Sequence, residues 1–165
     1  MHFLLPLLIL LVAFPKIDRR IAFSLAFLAF IPDFDFFINF THRFLFHNVF
    51  FPVILSSVIY LFTRNIQIFW ISLYYLISHI ILDLTVGAVA LFWPLYERMF
   101  EIIIYFDSRL NFVFKINTYP LGVVEEQMTS RPSYFFTQEG IIVIMLFLIM
   151  LVIAYKKEIK RFFKR

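Results

Sequence analysis

The feature that most constrains this chain is the long apolar stretch from Ile66 to about Pro94, whose only charged residue is Asp83. A helix needs about 20 apolar residues to cross a lipid bilayer, so this stretch is long enough. Hydrophobic residues make up 62% of the 165 residues and charged residues 16%, whereas soluble domains have about 45–50% and about 25%. A water-soluble core cannot use that much apolar surface. We therefore expect an integral membrane protein whose excess apolar surface faces lipid.

Other apolar segments accompany this one along the chain. Helix is the only open-chain structure that satisfies its own backbone in lipid, so we predict an all-α polytopic helical bundle of about five membrane segments. The first two segments reach about 18 Å or less at 1.5 Å per residue, so we expect a tilted or partly sunken pair. The segments are residues 3–14, 21–31, 44–62, 66–94 and 141–155.

We expect one integral membrane domain over residues 1–165. Residues 97–139 are more polar and contain Pro120, Gly122 and Pro132. They predict an extramembrane excursion with one amphipathic helix near residues 98–114. A last membrane helix follows at 140–155, and a basic tail at 156–165 holds six of the fifteen Lys and Arg. Such a tail is typical of an anchor on anionic lipid, and we expect no nucleic-acid partner.

The positive charges predict an orientation. With five crossings, the side of the membrane that holds the C-terminus receives Lys16, Arg19, Arg20, Arg64 and the six tail cations. The opposite side receives Arg43, Arg98, Arg109, Lys115 and Arg131. The positive-inside rule then predicts a protein of the cell (inner) membrane with a cytoplasmic C-terminus. The loop after residue 31 would be extracytoplasmic.

A first polar motif lies between the second and third apolar segments. Pro32 disfavours helix in the residue before it, so we expect Asp33 and Asp35 to lie in a turn where their carboxylates converge. His42 and His47 would point about 140° apart on a regular helix, so they can share one metal only if a turn intervenes. The motif consists of Pro32, Asp33, Asp35, His42, Arg43 and His47.

A second motif, His79 and Asp83, lies inside the long apolar stretch. Spacing i, i+4 puts both side chains on one helix face, about 6 Å apart. Such residues cost free energy in lipid and indicate a functional interior. The topology brings both motifs to one depth. We predict that the side-chain donor atoms of Asp33, His47, His79 and Asp83 lie within a sphere of roughly 8 Å. The predicted ligands are Asp33, Asp35, His42, His47, His79 and Asp83.

The chain has no cysteine, so any metal must be held by nitrogen and oxygen. The imidazoles favour zinc, and the carboxylates leave manganese or iron open. Other interpretations compete with a metal site: the histidines could be hydrogen-bonded core residues, and Asp33 and Asp35 could cap a helix. Arg43 could bind a phosphate or pair with an aspartate. His2 falls on the same membrane face and could approach the site.

These residues resemble the motifs of the YdjM-like (LexA-regulated) membrane-bound metal-dependent hydrolases. That family shows a Pro-Asp-x-Asp turn, a His-Arg-x-x-Thr-His-Ser stretch, and a Ser-His-x-x-x-Asp helix that runs into Leu-Thr, a glycine and Trp-Pro. The match covers roughly residues 20–95, with Phe46, Asn48 and Val86 where the family has threonine, serine and proline. The matching residues are Pro32, Asp33, Asp35, His42, Arg43, His47, Ser78, His79, Asp83, Leu84, Thr85, Gly87, Trp93 and Pro94.

The resemblance implies a membrane-bound hydrolase, and the helix of His79 and Asp83 is also similar to that of zinc-dependent phospholipase C. We therefore expect a metal-dependent hydrolase of a phospholipid-type phosphoester, in which a bound metal activates water. The expected catalytic residues are Asp35, Asp83 and Arg43. The alternative is a non-enzymatic metal-binding membrane protein, a transporter or sensor, which would need polar residues at several depths. A third hypothesis is a structural membrane protein with a packing cluster.

Overall fold

The structure, a computed structural model, describes residues 3–37, 43–106 and 112–121, together with Tyr155. Four α-helices, one 3-10 segment and two strands follow one another in these ranges. They are α1 (Leu4–Ala13), α2 (Arg19–Leu25), the 3-10 segment (Ala26–Phe37), α3 (Phe50–Thr63), α4 (Ile66–Val86), β1 (Arg98–Phe106) and β2 (Phe112–Pro120).

The predicted fold class, an all-α bundle of five membrane segments, is wrong. The described chain combines four α-helices with a two-stranded antiparallel sheet. Within the described ranges one helix, α4, is long and apolar enough to cross a membrane, while α1 and α3 are apolar but shorter. The segment predicted at 21–31 divides between α2 and the 3-10 segment. The last predicted helix, 140–155, lies outside the described residues except for Tyr155.

Strands β1 and β2 occupy the region where we predicted an amphipathic helix near 98–114. They pair in antiparallel register, with Glu101 opposite Asn117. Both strands are rich in β-branched and aromatic residues, which favour strands over helices. On one face Glu101 is buried and accepts hydrogen bonds from the hydroxyl of Tyr119 at 2.9 Å and the amide of Asn117 at 3.3 Å. The polar residues of this region thus satisfy one another across the strands, and a helix period was the wrong interpretation.

α4 is the central element and contacts all the other helices. Two of its tyrosines form hydrogen bonds with the N-terminal region. The hydroxyl of Tyr74 donates to the carbonyl of Pro6 at 2.8 Å. The hydroxyl of Tyr75 donates to the carbonyl of Ala22 at 2.9 Å. Each bond satisfies a hydroxyl that would otherwise cost free energy to bury. The buried face of α4 is therefore fixed against α1 and α2.

Three alanines bring the chain after α2 close to α4. Ala22, Ala26 and Ala29 are fully buried and belong to the core formed with Tyr75 and Leu76. Small side chains let two backbones approach closely. This approach brings main-chain groups of the 3-10 segment within reach of α4 side chains.

A tight turn reverses the chain between α3 and α4. Arg64 ends α3 in the left-handed conformation with a φ of 52°, and the side chain of Asn65 caps α4 by accepting from the backbone N–H of Gln67 at 2.9 Å. The two helices run antiparallel as a consequence. The start of α3 and the end of α4 thus lie at the same end of the helix pair, which brings His47 to the level of Asp83.

Residues 88–90 after α4 are extended and residues 91–95 form turns, although a helix to about Pro94 was predicted. Val89 forms both hydrogen bonds of a bridge with Phe100, each 2.8 Å long. Ala90 donates to the carbonyl of Arg43, and Leu91 accepts from Val49. Residues 88–91 therefore connect the β-hairpin to the loop that carries Arg43 and His47. The backbone groups of residues 89–91 form hydrogen bonds with the loop and with β1 instead of helical bonds. α4 ends at Val86.

Candidate metal centre

Four side chains from three parts of the chain converge at one end of α4. Asp33, His47, His79 and Asp83 each offer one donor atom, and these atoms all lie within 4.8 Å of one another. The predicted convergence within about 8 Å is therefore confirmed. The two histidines and Asp83 are buried, and Asp33 is 44% exposed. The group could hold a metal ion. It is accessible to solvent on the side of Asp33.

Three local structures supply the four donors. Asp33 follows Pro32 in the 3-10 segment, and His47 lies in the irregular stretch before α3. His79 and Asp83 share the buried face of α4, as the i, i+4 spacing predicts. The spacing of one helix therefore provides two of the donors, and packing of the 3-10 segment and the loop provides the others.

The separations between donor atoms are those of a small coordination shell. His47 Nε2 lies 2.9 Å from Asp83 Oδ2 and 3.3 Å from His79 Nε2. His79 Nε2 lies 3.2 Å from Asp33 Oδ1 and 3.4 Å from Asp83 Oδ2, and His47 Nε2 lies 3.9 Å from Asp33 Oδ1. Ligands about 2.0–2.2 Å from a tetrahedral zinc ion are about 3.3–3.6 Å apart. Two nitrogens and two oxygens at these distances fit a divalent cation.

The outer nitrogen of His79 is bonded to the main chain. Its Nδ1 lies 2.6 Å from the carbonyl oxygen of Ala29. A carbonyl can only accept, so Nδ1 carries the proton and the Nε2 of a neutral imidazole presents its lone pair to the centre. Metal-binding histidines are typically held in this way by an acceptor behind the ring.

The outer nitrogen of His47 is bonded to Asp35. His47 Nδ1 lies 2.7 Å from Asp35 Oδ2, and the same oxygen accepts from the backbone N–H groups of Arg43 at 3.1 Å and Phe44 at 3.2 Å. An oxygen that accepts from two backbone N–H groups acts as a hydrogen-bond acceptor. It therefore also accepts from His47, and the lone pair of His47 Nε2 points into the centre.

In this geometry the predicted residues divide into those whose donor atoms converge and those that support a converging side chain. Asp35, predicted as a ligand and as a catalytic residue, lies one hydrogen bond behind His47 and outside the four converging atoms. His42 and His2 lie outside the described residues.

Ala29 was not predicted, although the sequence contains a signal for it. A carbonyl in a 3-10 segment normally accepts from the N–H three residues later, which here is Pro32. Pro32 has no N–H, so the carbonyl of Ala29 is available to His79.

Hydrogen bonds inside the cluster shift the pKa of two of its side chains, His47 and Asp33. Burial disfavours the charged form of His47, but hydrogen bonds to Asp35 and Asp83 outweigh burial and raise its pKa above the usual value. Burial likewise disfavours the charged form of Asp33, but its hydrogen bond to His79 lowers the pKa of this carboxyl overall. Positive charge is thus favoured between these carboxylates. A divalent cation would meet the same electrostatic demand.

Arg43 lies at the edge of the centre in a constrained conformation. Its backbone is left-handed with a φ of 71°, which costs free energy for a residue other than glycine. Its Nε lies 3.6 Å from Asp83 Oδ2, and its side chain is 15% exposed. The backbone N–H donates to Asp35 and the backbone carbonyl accepts from Ala90, at 3.1 and 3.2 Å. These two bonds stabilise the strained backbone.

Comparisons with family models, curated proteins and solved structures give no match. The resemblance to the YdjM-like family accordingly remains an expectation that rests on the motif residues alone.

Proposed function

We propose that the protein is a membrane-bound metal-dependent hydrolase that acts on a phospholipid-type phosphoester, with zinc favoured over manganese or iron. The observation that carries this proposal is the orientation of the two histidines. Both Nδ1 atoms are bonded behind the ring, to Asp35 and Ala29, so that both Nε2 atoms face the carboxylates of Asp33 and Asp83. This orientation brings two imidazole nitrogens within 3.3 Å of each other beside two carboxylates, which is a donor set that suits a divalent cation.

The donor set favours zinc and hydrolysis. Imidazole nitrogens suit zinc, and two carboxylates keep manganese and iron as alternatives. A divalent ion held here would supply Lewis-acid chemistry and lower the pKa of a bound water. The chain's own contributions are the orientation of the imidazoles by Asp35 and Ala29 and the partly exposed carboxylate of Asp33. That carboxylate lies on the open side, where water and substrate would enter.

Exposed apolar surface supports the membrane part of the proposal. α4 exposes apolar side chains along its whole length, from Ile66 and Trp70 to Ile81 and Val86. α3 does the same, and its Phe62 is 86% exposed. A soluble monomer rarely carries contiguous apolar surface on this scale. Lipid is the partner that such a surface fits, and a lipid phosphoester is the substrate that would reach a site beside it.

The distribution of basic residues supports the predicted orientation. Lys16 lines one surface pocket together with Gln67 at the start of α4. Tyr155, just before the basic tail, packs against Arg19, and its hydroxyl donates to the carbonyl of Leu11. Between Gln67 and Asp83 the helix rises about 24 Å. The basic end and the acidic centre are thus separated by most of a bilayer thickness. The positive-inside rule favours a cytoplasmic basic end and an extracytoplasmic centre.

Metal content is the first test of this function. Full-length protein purified in detergent should contain about one zinc, manganese or iron ion per centre by elemental analysis, and His79→Ala should lose it because one nitrogen donor is gone. Ser78→Ala is the matched control, because it changes the neighbouring α4 residue outside the cluster. A wild-type protein that carries no metal after growth with added zinc would contradict the proposal.

Hydrolysis is the second test. Short-chain phospholipids and bis(p-nitrophenyl) phosphate in micelles should be cleaved by the wild type, inhibited by a chelator and restored by zinc or manganese. His79→Ala should be inactive, and Ser78→Ala should be active. Stoichiometric metal without cleavage of any phosphoester or acyl ester would favour the non-enzymatic alternative.

The transporter or sensor alternative has one observation in its favour. The hydroxyls of Ser56 and Ser72 are buried and have no hydrogen-bond partner among the described residues, and Ser72 lies two helical turns below His79. Small residues where α3 packs on α4 are the simpler account, since they permit close helix contact. The residues around them, Ile71 and Leu76 among them, are apolar. Zinc uptake into proteoliposomes by the wild type would establish the alternative.

A further inference from the structure

We propose that Arg43 is the side chain through which this centre binds a phosphate group, so that its substrates are phosphate esters rather than carboxylic esters. The inference rests on the hydrolase proposed above and deepens it by naming the residue that recognises the phosphate group of its substrate. The sequence leaves two roles open for Arg43, pairing with an aspartate and binding a phosphate. The structure divides these roles between different atoms of one guanidinium.

The Nε atom of Arg43 has the structural role. It lies 3.6 Å from Asp83 Oδ2, one of the four converging donor atoms. The Nη1 atom is two covalent bonds away, is buried, and has no hydrogen-bond partner among the described residues. A buried N–H without a partner costs free energy. A ligand oxygen that accepts from Nη1 would remove that cost and would lie next to Asp83.

The backbone of Arg43 is held by the same carboxylate that orients His47. Asp35 Oδ2 accepts from the backbone N–H of Arg43 and from His47 Nδ1. The left-handed backbone of Arg43 is also held by Ala90 on the other side. Arg43 and His47 therefore keep a constant relation to each other, which is the preorganisation that a binding site requires.

Phosphate is the group that fits this arrangement. The guanidinium is always charged and matches the oxygens of phosphate in a planar fork. Phosphate has several charged oxygens in tetrahedral directions, so that one can approach the donor cluster while another accepts from Nη1. The carbonyl oxygen of a carboxylic ester is single and uncharged. Asp33 and Asp83 would repel a phosphate in the absence of a cation, so we expect phosphate binding to require the metal.

Calorimetric titration with inorganic phosphate tests the inference. The titrated protein is the zinc-loaded full-length chain in detergent, as wild type, Arg43→Gln and Arg43→Lys. Arg64→Gln is the matched control, because Arg64 also has a positive φ but lies at the opposite end of α4. Arg43→Gln should weaken phosphate binding about tenfold or more. Arg43→Lys, which keeps the charge but not the fork, should be intermediate, and Arg64→Gln should be unchanged. Zinc content should be equal in all four proteins.

Three results would overturn the inference. The first is unchanged phosphate affinity in Arg43→Gln. The second is loss of zinc from that variant, which would mean that Arg43 holds Asp83 in place. The third is that Arg43→Gln and the wild type hydrolyse phosphate esters equally well and also hydrolyse carboxylic esters equally well. If Arg43→Gln does not fold, Arg43→Lys decides: weaker phosphate binding at equal zinc content supports the inference, and unchanged affinity overturns it. A wild type without zinc would contradict the proposed function itself, and elemental analysis detects that before phosphate is added.

Discussion

The imidazole of His79 donates from Nδ1 to the backbone carbonyl of Ala29 at 2.6 Å. This bond joins α4 to the 3-10 segment, and it exists because Pro32 cannot use that carbonyl. The acceptor behind His79 is therefore main chain, whereas the acceptor behind His47 is the side chain of Asp35. The two histidines should consequently respond to different kinds of mutation.

Pro32→Ala should weaken metal binding without removing a ligand. An alanine at position 32 restores an N–H that can bond to the carbonyl of Ala29 and compete with His79. Loss of an acceptor behind a histidine typically costs about 10–100-fold in metal affinity. Competition with a chromophoric zinc chelator would measure the change. Pro52→Ala is the control, since Pro52 is buried in the first turn of α3, where its missing N–H has no helical role. Equal losses in both variants would contradict this account of His79.

Asp35→Asn should lower metal affinity and turnover but keep the metal stoichiometry. The amide oxygen can still accept from His47, but the negative charge that favours this bond is lost. We expect a cost of about 10–100-fold in affinity or activity. Asp83→Asn removes a converging donor and should abolish stoichiometric metal. Asp18→Asn is the control for the same chemical change, because Asp18 only caps α2. Full loss of metal in Asp35→Asn at saturating zinc would show that Asp35 is itself a ligand.

The sequence was sufficient to predict that four donors converge, but not to separate them from Asp35 or to find Ala29. His79 and Asp83 follow from helix spacing alone, and Asp33 and His47 follow from the end of the helix pair at which they emerge. The role of Ala29 depends on which backbone carbonyl lacks a partner, and that depends on a 3-10 segment rather than an α-helix. Asp35 looks like a second ligand in the sequence, because spacing cannot tell which carboxylate joins the converging donors and which bonds to the histidine behind them.

The β-hairpin was missed for a different reason. Residues 98–120 mix apolar and polar residues at intervals compatible with either period, and their strand propensity is decided by pairing. Glu101 is buried only because Asn117 and Tyr119 lie on the neighbouring strand to donate to it. The β-branched and aromatic composition of both strands favours a sheet, but the hydrophobic pattern alone does not show which residues pair across the hairpin.

Zinc should stabilise the protein, and a chelator should reverse this effect. The four donors lie on the 3-10 segment, the following loop and α4, so a bound ion connects segments that are distant in sequence. Ligand at about 100 times its dissociation constant stabilises the folded state by about 2.7 kcal/mol. Thermal unfolding in detergent should show a higher Tm with zinc for the wild type and for Ser78→Ala, and no shift for His79→Ala. A similar shift in His79→Ala would mean that zinc binds elsewhere.

Cysteine labelling should place the metal centre outside the cytoplasm. The chain has no cysteine, so single substitutions report without background. Thr118→Cys lies on the exposed face of β2 near the centre, and Lys16→Cys is exposed at the opposite end of α4. In intact cells a membrane-impermeant maleimide should label Thr118→Cys, whereas Lys16→Cys should react only after the membrane is broken.

A reporter fused after Arg165 should be cytoplasmic, in agreement with the basic tail. Reversed labelling would move the chemistry to the cytoplasmic side and leave the metal centre unchanged, whereas labelling of both positions in intact cells would contradict a membrane-spanning α4.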